Sequence, residues 1–225
     1  MTTKGIARGL VVSCQGDDDT PLDDPAVMRA VAWAAVAGGA VAVRIEGLPD
    51  LRAVRSTVQV PIIGLVKRRM PGSEVFITPT IEDALAVAEA GADVIAVEAT
   101  AQPRPDGSTF AAFLSQLRLR TDRPVMADVS TAAEAHDAAA AGAEYVATTL
   151  SGFTPYSRHS AGPDLELIRE VIGDLPIPLI AEGRFWEPGQ VRGAFDLGAH
   201  AVCIGDAITN PTRITRRFVE AVPPA

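Results

Sequence analysis

This 225-residue chain has two cysteines, three histidines, 5% aromatic residues and no excess of positive charge. Cys14 and Cys203 sit inside apolar, strand-like segments and read as small buried hydrophobes, not as a disulfide or a metal pair. His136, His159 and His200 are scattered without ligand spacing, so a catalytic metal is not expected. Lys and Arg total 20 against 28 Asp and Glu, a net charge of −8. A nucleic-acid partner is therefore disfavoured, since such proteins present a basic face. No run of about 18 apolar residues occurs, so no membrane span is expected. Met1–Arg8 has no apolar signal core, and a cytoplasmic protein is the expectation. Also missing are a Gly-x-Gly-x-x-Gly turn, a phosphate-cradling Walker loop and a Gly-x-Ser-x-Gly elbow. What remains is an amine with carboxylates, which suits proton-transfer or imine chemistry.

What is present is a set of short apolar runs that stop on charged residues. Pro61-Ile62-Ile63-Gly64-Leu65-Val66 stops on Lys67, Pro124-Val125-Met126-Ala127 on Asp128, and Pro178-Leu179-Ile180-Ala181 on Glu182. Residues an even number of steps apart share one face of a strand. Each charge lies an even number past its proline, so an amine and two carboxylates should converge. Continuous apolar runs of this kind read as buried parallel strands, whose C-terminal ends carry the chemistry.

Between these runs a second cadence recurs: an alanine-rich stretch, a Gly-Ala pair, then a β-branched run. It starts at Gly39, Gly91, Gly142 and Gly198, each glycine marking a helix that feeds a strand. Alternation of the two strand types yields about eight strands. Helices fit at Asp24–Ala37, Leu48–Ser56, Ile81–Ala90, Thr109–Arg120, Thr131–Ala141, Pro163–Ile172, Pro188–Leu197 and Pro211–Ala221. Thr131 with Glu134 resembles a capping box, and Pro163 and Pro211 suit first helical positions. With 48% hydrophobic residues and no linker, residues 1–225 are expected to form one (β/α)₈ TIM barrel. An open doubly wound sheet is the structural alternative.

Lys67 ends its run at the mouth of such a barrel, where burial would depress its pKa and free a neutral amine as a base. Its bland reading is a solvated lysine beside Arg68 and Arg69. Glu182 needs a partner or a job, and the bland partner is Arg184 or Arg44. Asp128 suits either the site or a helix cap. Gln15 and Arg44 also end apolar runs and suit hydroxyls, amides or a carbonyl. Gly183-Arg184 and Gly205-Asp206 fall in the last two βα loops, where barrels often bind phosphate through backbone amides.

Several stretches together resemble the N-acetylmannosamine-6-phosphate 2-epimerase family. They include Val11-Val12-Ser13-Cys14-Gln15, Gly64-Leu65-Val66-Lys67, Ala127-Asp128-Val129-Ser130 and Thr148-Thr149-Leu150-Ser151-Gly152. Ala181-Glu182-Gly183-Arg184 and Gly205-Asp206-Ala207-Ile208-Thr209 complete the series, in order along nearly the whole chain. The resemblance implies a barrel that interconverts N-acetylmannosamine 6-phosphate and N-acetylglucosamine 6-phosphate in sialic-acid catabolism, without metal or redox cofactor. It implies Lys67 and Glu182 as the catalytic pair, with Gln15, Arg44 and Asp128 on the sugar. Gly183 and Gly205 would lie near the phosphate. Arg184, next to Gly183, is expected on its own charge to assist there. Glu46, Glu98 and Asn210 depart from the family pattern, Asn210 standing where an arginine is usual. A Schiff-base aldolase or lyase using Lys67, and a non-catalytic phosphosugar sensor, are the alternatives. Exposed barrel helices often make dimers, which leaves a homodimer open.

Overall fold

A computed structural model describes residues 5–16 and 20–223. Its strands are β1 (Gly9–Cys14), β2 (Ala42–Glu46), β3 (Ile62–Leu65), β4 (Val94–Glu98), β5 (Val125–Asp128), β6 (Tyr145–Ala147), β7 (Leu179–Glu182) and β8 (Ala201–Ile204). All pair in parallel with their sequence neighbours, and β1 pairs with β8, so the sheet closes in the order β1 to β8. The helices are α1 (Pro25–Ala37), α2 (Leu48–Arg55), α3 (Ile81–Glu89), α4 (Phe110–Arg118), α5 (Ala132–Ala140), α6 (Leu165–Val171) and α7 (Pro188–Asp196). After β8 come a short α8 (Asp206–Thr209) and α9 (Pro211–Val219). The chain is a (β/α)₈ TIM barrel. No helix among the described residues is long and apolar enough to cross a membrane.

Strand parity builds two cores. Val11, Ala42, Ile63, Leu65, Met126, Ile180, Ala201 and Cys203 fill the barrel interior. Residues one step out of phase, such as Val12, Val43, Ile62, Ala127, Ala181 and Val202, pack outward against the helices. Gly64 is one of these outward positions: a Cβ there would meet Ala92 Cβ at 2.6 Å and Val87 at 2.8 Å, so the strand–helix approach requires glycine. Following the inward parity to the strand ends leads to Gln15, Arg44, Lys67, Asp128, Glu182 and Gly205.

The punctuation glycines behave as the cadence implies; Gly91 and Gly142 hold φ of 110° and 99° just past their helices. Thr131 and Glu134 form a reciprocal capping box, and Pro211 opens α9. Two details differ from the sequence reading. Pro163 lies before the N-cap Asp164, not inside α6, because the Asp164 carboxylate accepts from Leu167 N and starts the helix. The β8–α9 connection folds into its own helical turn, α8, which the sequence pattern did not separate from a loop.

Candidate active site

At the C-terminal rim a cavity of about 370 Å³ opens, within the range of small-ligand sites. Gln15, Arg44, Lys67, Glu182, Gly183, Arg184 and Gly205 all line it. Phe76, Phe153, Phe185 and Trp186 give it an aromatic rim. A larger crevice of about 700 Å³ lies outside the barrel, between the β4–α4 loop and α5. Its lining is chiefly alanine, serine, threonine and glycine, and its Glu134 is committed to capping α5, so the chemistry belongs to the barrel mouth.

The floor of the site is an ion-pair cluster. Arg44 Nη1 and Nη2 donate to the two oxygens of Asp128 at 2.9 and 2.7 Å. Glu182 Oε2 lies 3.2 Å from Arg44 Nη1, in ion-pair range but without the alignment of a hydrogen bond. Arg44 and Asp128 are fully buried. Burial alone would lower the Arg44 pKa, but Asp128 and Glu182 outweigh it and keep the guanidinium charged. Thr149 Oγ1 donates to Asp128 at 2.7 Å. With its oxygens so engaged, Asp128 lies beneath Arg44 and does not line the cavity; nor does it cap a helix. The salt-bridge partner of Glu182 is Arg44, not Arg184.

Glu182 ends β7 with its backbone held on both sides by one hydroxyl. Thr148 Oγ1 donates to Glu182 O at 2.8 Å and accepts from Glu182 N at 2.9 Å. Burial, and the nearby Asp128, raise the Glu182 pKa against the pull of Arg44. Its Oε2 and Arg44 Nε are buried at this site without a hydrogen-bond partner. Lys67 stands two residues past β3, lines the cavity and is exposed. The surrounding protein nonetheless desolvates its amine and lowers its pKa, with help from Arg44, while Glu46, Glu182 and Asp206 pull the other way. β3 and β7 are four strands apart in a ring of eight, so Lys67 and Glu182 face the cavity from opposite sides.

The last two loops supply the rest. Gly183 has φ of 109°, and Arg184 holds φ of 59°, a left-handed conformation rare for arginine. Its side chain compensates: Nε donates to Gly162 O at 2.8 Å and Nη1 to Ser151 O at 2.5 Å. Those donors strap the β6–α6 loop instead of pointing at an anion. Asn210 is buried and caps α9, accepting from Arg213 N at 3.0 Å. Arg213, from the first turn of α9, lines the cavity and forms a half-exposed ion pair with Asp206 at 3.2 Å.

Ser13, Thr149, Cys203 and the aromatic rim line the cavity without having been read as site residues from the sequence. Ser13 lies two residues before Gln15, whose Nε2 donates to it at 2.6 Å. Cys203 lies two before Gly205, so stepping the same parity back by one position would have found both. Cys14 and Cys203 are buried free thiols. His136 on α5 pairs with Asp174 in the turn after α6, and His200 meets Ile6 O. No group of three or more His, Cys, Asp or Glu among the described residues is arranged to hold a metal ion.

Residues 28–223 match the family described as "Putative N-acetylmannosamine-6-phosphate epimerase". Over 215 residues the chain is 45% identical to a Caldanaerobacter subterraneus subsp. tengcongensis protein named "Putative N-acetylmannosamine-6-phosphate 2-epimerase", covering 95% of this chain and 91% of that one. An Enterobacter relative of the same name is 42% identical over 225 residues, with 98% and 96% covered. The fold superposes on the N-acetylmannosamine-6-phosphate 2-epimerase structure from Clostridium perfringens with a TM-score of 0.92 at 38% identity, covering 96% and 94% of the two chains. Thiamine phosphate pyrophosphorylase from Pyrococcus furiosus, at 17% identity and a TM-score of 0.60, shares the fold alone.

Proposed function

The chain belongs to the N-acetylmannosamine-6-phosphate epimerase family, and we propose that it interconverts N-acetylmannosamine 6-phosphate and N-acetylglucosamine 6-phosphate by moving a proton at C2. In the open-chain sugar the C2 hydrogen is acidified by the adjacent C1 aldehyde. Inversion removes that proton from one face and returns one to the other, through an enolate-like intermediate. The observation that carries this reading is the placement of Lys67 and Glu182 on opposite sides of one cavity. Their pKa values are pushed towards each other, the lysine down and the glutamate up, which suits groups that exchange protons near neutral pH. Arg44, fixed by Asp128 with its Nε unpartnered, offers a buried guanidinium donor to the enolate oxygen.

The phosphate fits the backbone of Gly183 and Gly205, with Arg213 as its cation. Arg213 can exchange its exposed pairing with Asp206 for a dianion, whereas Nε and Nη1 of Arg184 are held on carbonyl oxygens. Gln15 suits a sugar hydroxyl or the acetamido group. A cytoplasmic place in amino-sugar or sialic-acid catabolism accords with a phosphorylated substrate. Exposed Trp33 on α1 and Phe218 on α9 support a homodimer.

The test is turnover of N-acetylmannosamine 6-phosphate in heavy water, followed by proton NMR at C2. Product carrying deuterium at C2 is the expected result. Absence of any product would sink the reading, and product that keeps its C2 hydrogen through net turnover would remove the solvent-exchanging form of it.

A further inference from the structure

A buried carboxylate outside the ion-pair cluster bears on how Lys67 is held. Glu98 ends β4 with 3% of its surface exposed. Its Oε2 accepts from Phe76 N at 2.9 Å and Ile77 N at 3.3 Å, and its Oε1 accepts from Thr100 Oγ1 at 2.8 Å. Its own N–H donates to Ile77 O at 3.0 Å. The carboxylate therefore hooks residues 76 and 77, which belong to a loop between β3 and α3, onto the top of β4.

That hooked segment is the one paired with Lys67. Lys67 and Ile77 form an antiparallel bridge, flanked by Thr78 N donating to Val66 O at 2.8 Å and Arg68 N donating to Phe76 O at 2.9 Å. Phe76 and Ile77 line the cavity beside the lysine. The far end of the segment is tied by Arg104, buried at 3% exposure, which donates to Pro79 O at 3.0 Å, to Thr78 O at 3.4 Å and to Glu98 O. The Arg104 guanidinium stacks 3.9 Å from the Phe113 ring centre. Between these ties Thr78 is held fully buried at φ of 49°, a conformation that persists only where its surroundings impose it.

We propose that Glu98 and Arg104 are positioning residues for Lys67: they clamp residues 76–79 against the lysine, fixing its place and the protein wall that shields one side of its amine. Neither side chain lines the cavity, so each acts through the segment it holds. Removing the hook frees residues 76–79, thins the protein packed beside the Lys67 amine and lets its pKa climb back towards the ordinary lysine value. The charged groups that face Lys67 are Arg44 and Glu46 from β2, Glu182 from β7 and Asp206 from α8, and all stay in place in these variants. Glutamine at position 98 keeps the clamp, because its carbonyl accepts from Phe76 and Ile77 while its amide donates to the Thr100 hydroxyl.

The inference rests on Lys67 as the catalytic base, so its test pairs kinetics with a readout taken without substrate. Steady-state constants are measured for Glu98→Gln, Glu98→Ala, Arg104→Lys and Lys67→Met. The pH midpoint for acetylation of Lys67 by acetic anhydride is read by peptide mass spectrometry in all but the last. Glu98→Ala should lower kcat about ten- to a hundredfold with KM within about threefold, since misplacement by an ångström can cost that much. Its Lys67 midpoint should move up. Arg104→Lys, which loses the fork, should move both in the same directions by less, and decides the matter if Glu98→Ala does not fold. Glu98→Gln should restore both values. Undiminished kcat in Glu98→Ala, a fallen kcat with an unmoved midpoint, or a glutamine variant as impaired as alanine would each overturn the proposal. Full turnover in Lys67→Met would remove the catalytic reading instead, leaving the midpoints to report on the clamp.

Discussion

Arg44 and Asp128 meet through two parallel hydrogen bonds, 2.9 and 2.7 Å long, across the interior of the barrel from β2 to β5. This fork is fully buried, and it fixes the guanidinium that Glu182 approaches from β7. Removing Asp128 would take both hydrogen-bond acceptors from the buried guanidinium and leave it the unaligned charge of Glu182. Asp128→Ala should cost about 3–5 kcal/mol of stability, the range for breaking a buried pair. For a chain of this size that is a fall in Tm of roughly 6–20 °C by calorimetry. An unchanged Tm would mean that Arg44 finds another partner or reaches water.

Lys67→Met and Glu182→Gln should each lower kcat by about 10²–10⁴ while KM changes little, the mark of groups that act on protons in the transition state. A rise in KM at constant kcat would recast either residue as a binding group. Borohydride added with substrate should leave the protein mass unchanged, because the proposed reaction breaks no carbon–carbon bond. A covalent adduct on Lys67 would favour the aldolase alternative.

The pH dependence of kcat/KM tests the electrostatics at Lys67. Asp206 favours the ammonium form and so holds the Lys67 pKa up, against the lowering by burial and Arg44. Asp206→Asn removes that charge, which favours the neutral amine. The limb of the profile set by deprotonation of Lys67 should therefore move to lower pH. A shift to higher pH would mean that another group governs that limb.

Arg213 and Asn210 should separate binding from stability. Arg213→Ala should raise KM for the phosphosugar roughly ten- to a hundredfold with kcat nearly constant, the loss of one charge-assisted contact. Asn210→Ala removes a buried helix cap and should cost about 0.5–2 kcal/mol in chemical denaturation, with KM unchanged. If Asn210→Ala raises KM as much as Arg213→Ala does, position 210 contacts substrate directly.

Much of this was legible in one dimension. Strand side chains alternate with period two, so the ends of the apolar runs announced which residues face inward, and the Gly-Ala punctuation announced where helices feed strands. The eight strands close a ring, which carried Gln15, Arg44, Lys67, Glu182, Gly183 and Gly205 to one rim. These are local rules, and local rules survive in sequence. Parity also pointed Asp128 inward, but it could not say that Asp128 would lie under Arg44.

Partner choice was decided by tertiary structure. Arg44 joins Asp128 because the barrel places β2 and β5 within reach of a long guanidinium, and Glu182 then meets the same group. Arg184 straps the β6–α6 loop because that loop brings the carbonyls of Ser151 and Gly162 beside it. Glu98 reaches Phe76 and Ile77 because the β3–α3 loop folds back over the strand ends. Side-chain alternation is a property of each strand by itself, whereas a pairing between residues tens of positions apart depends on ring closure and loop path. The sequence alone therefore determined which chemical groups arrive at the rim, and the closed barrel decided which of them neutralise one another and which face the cavity.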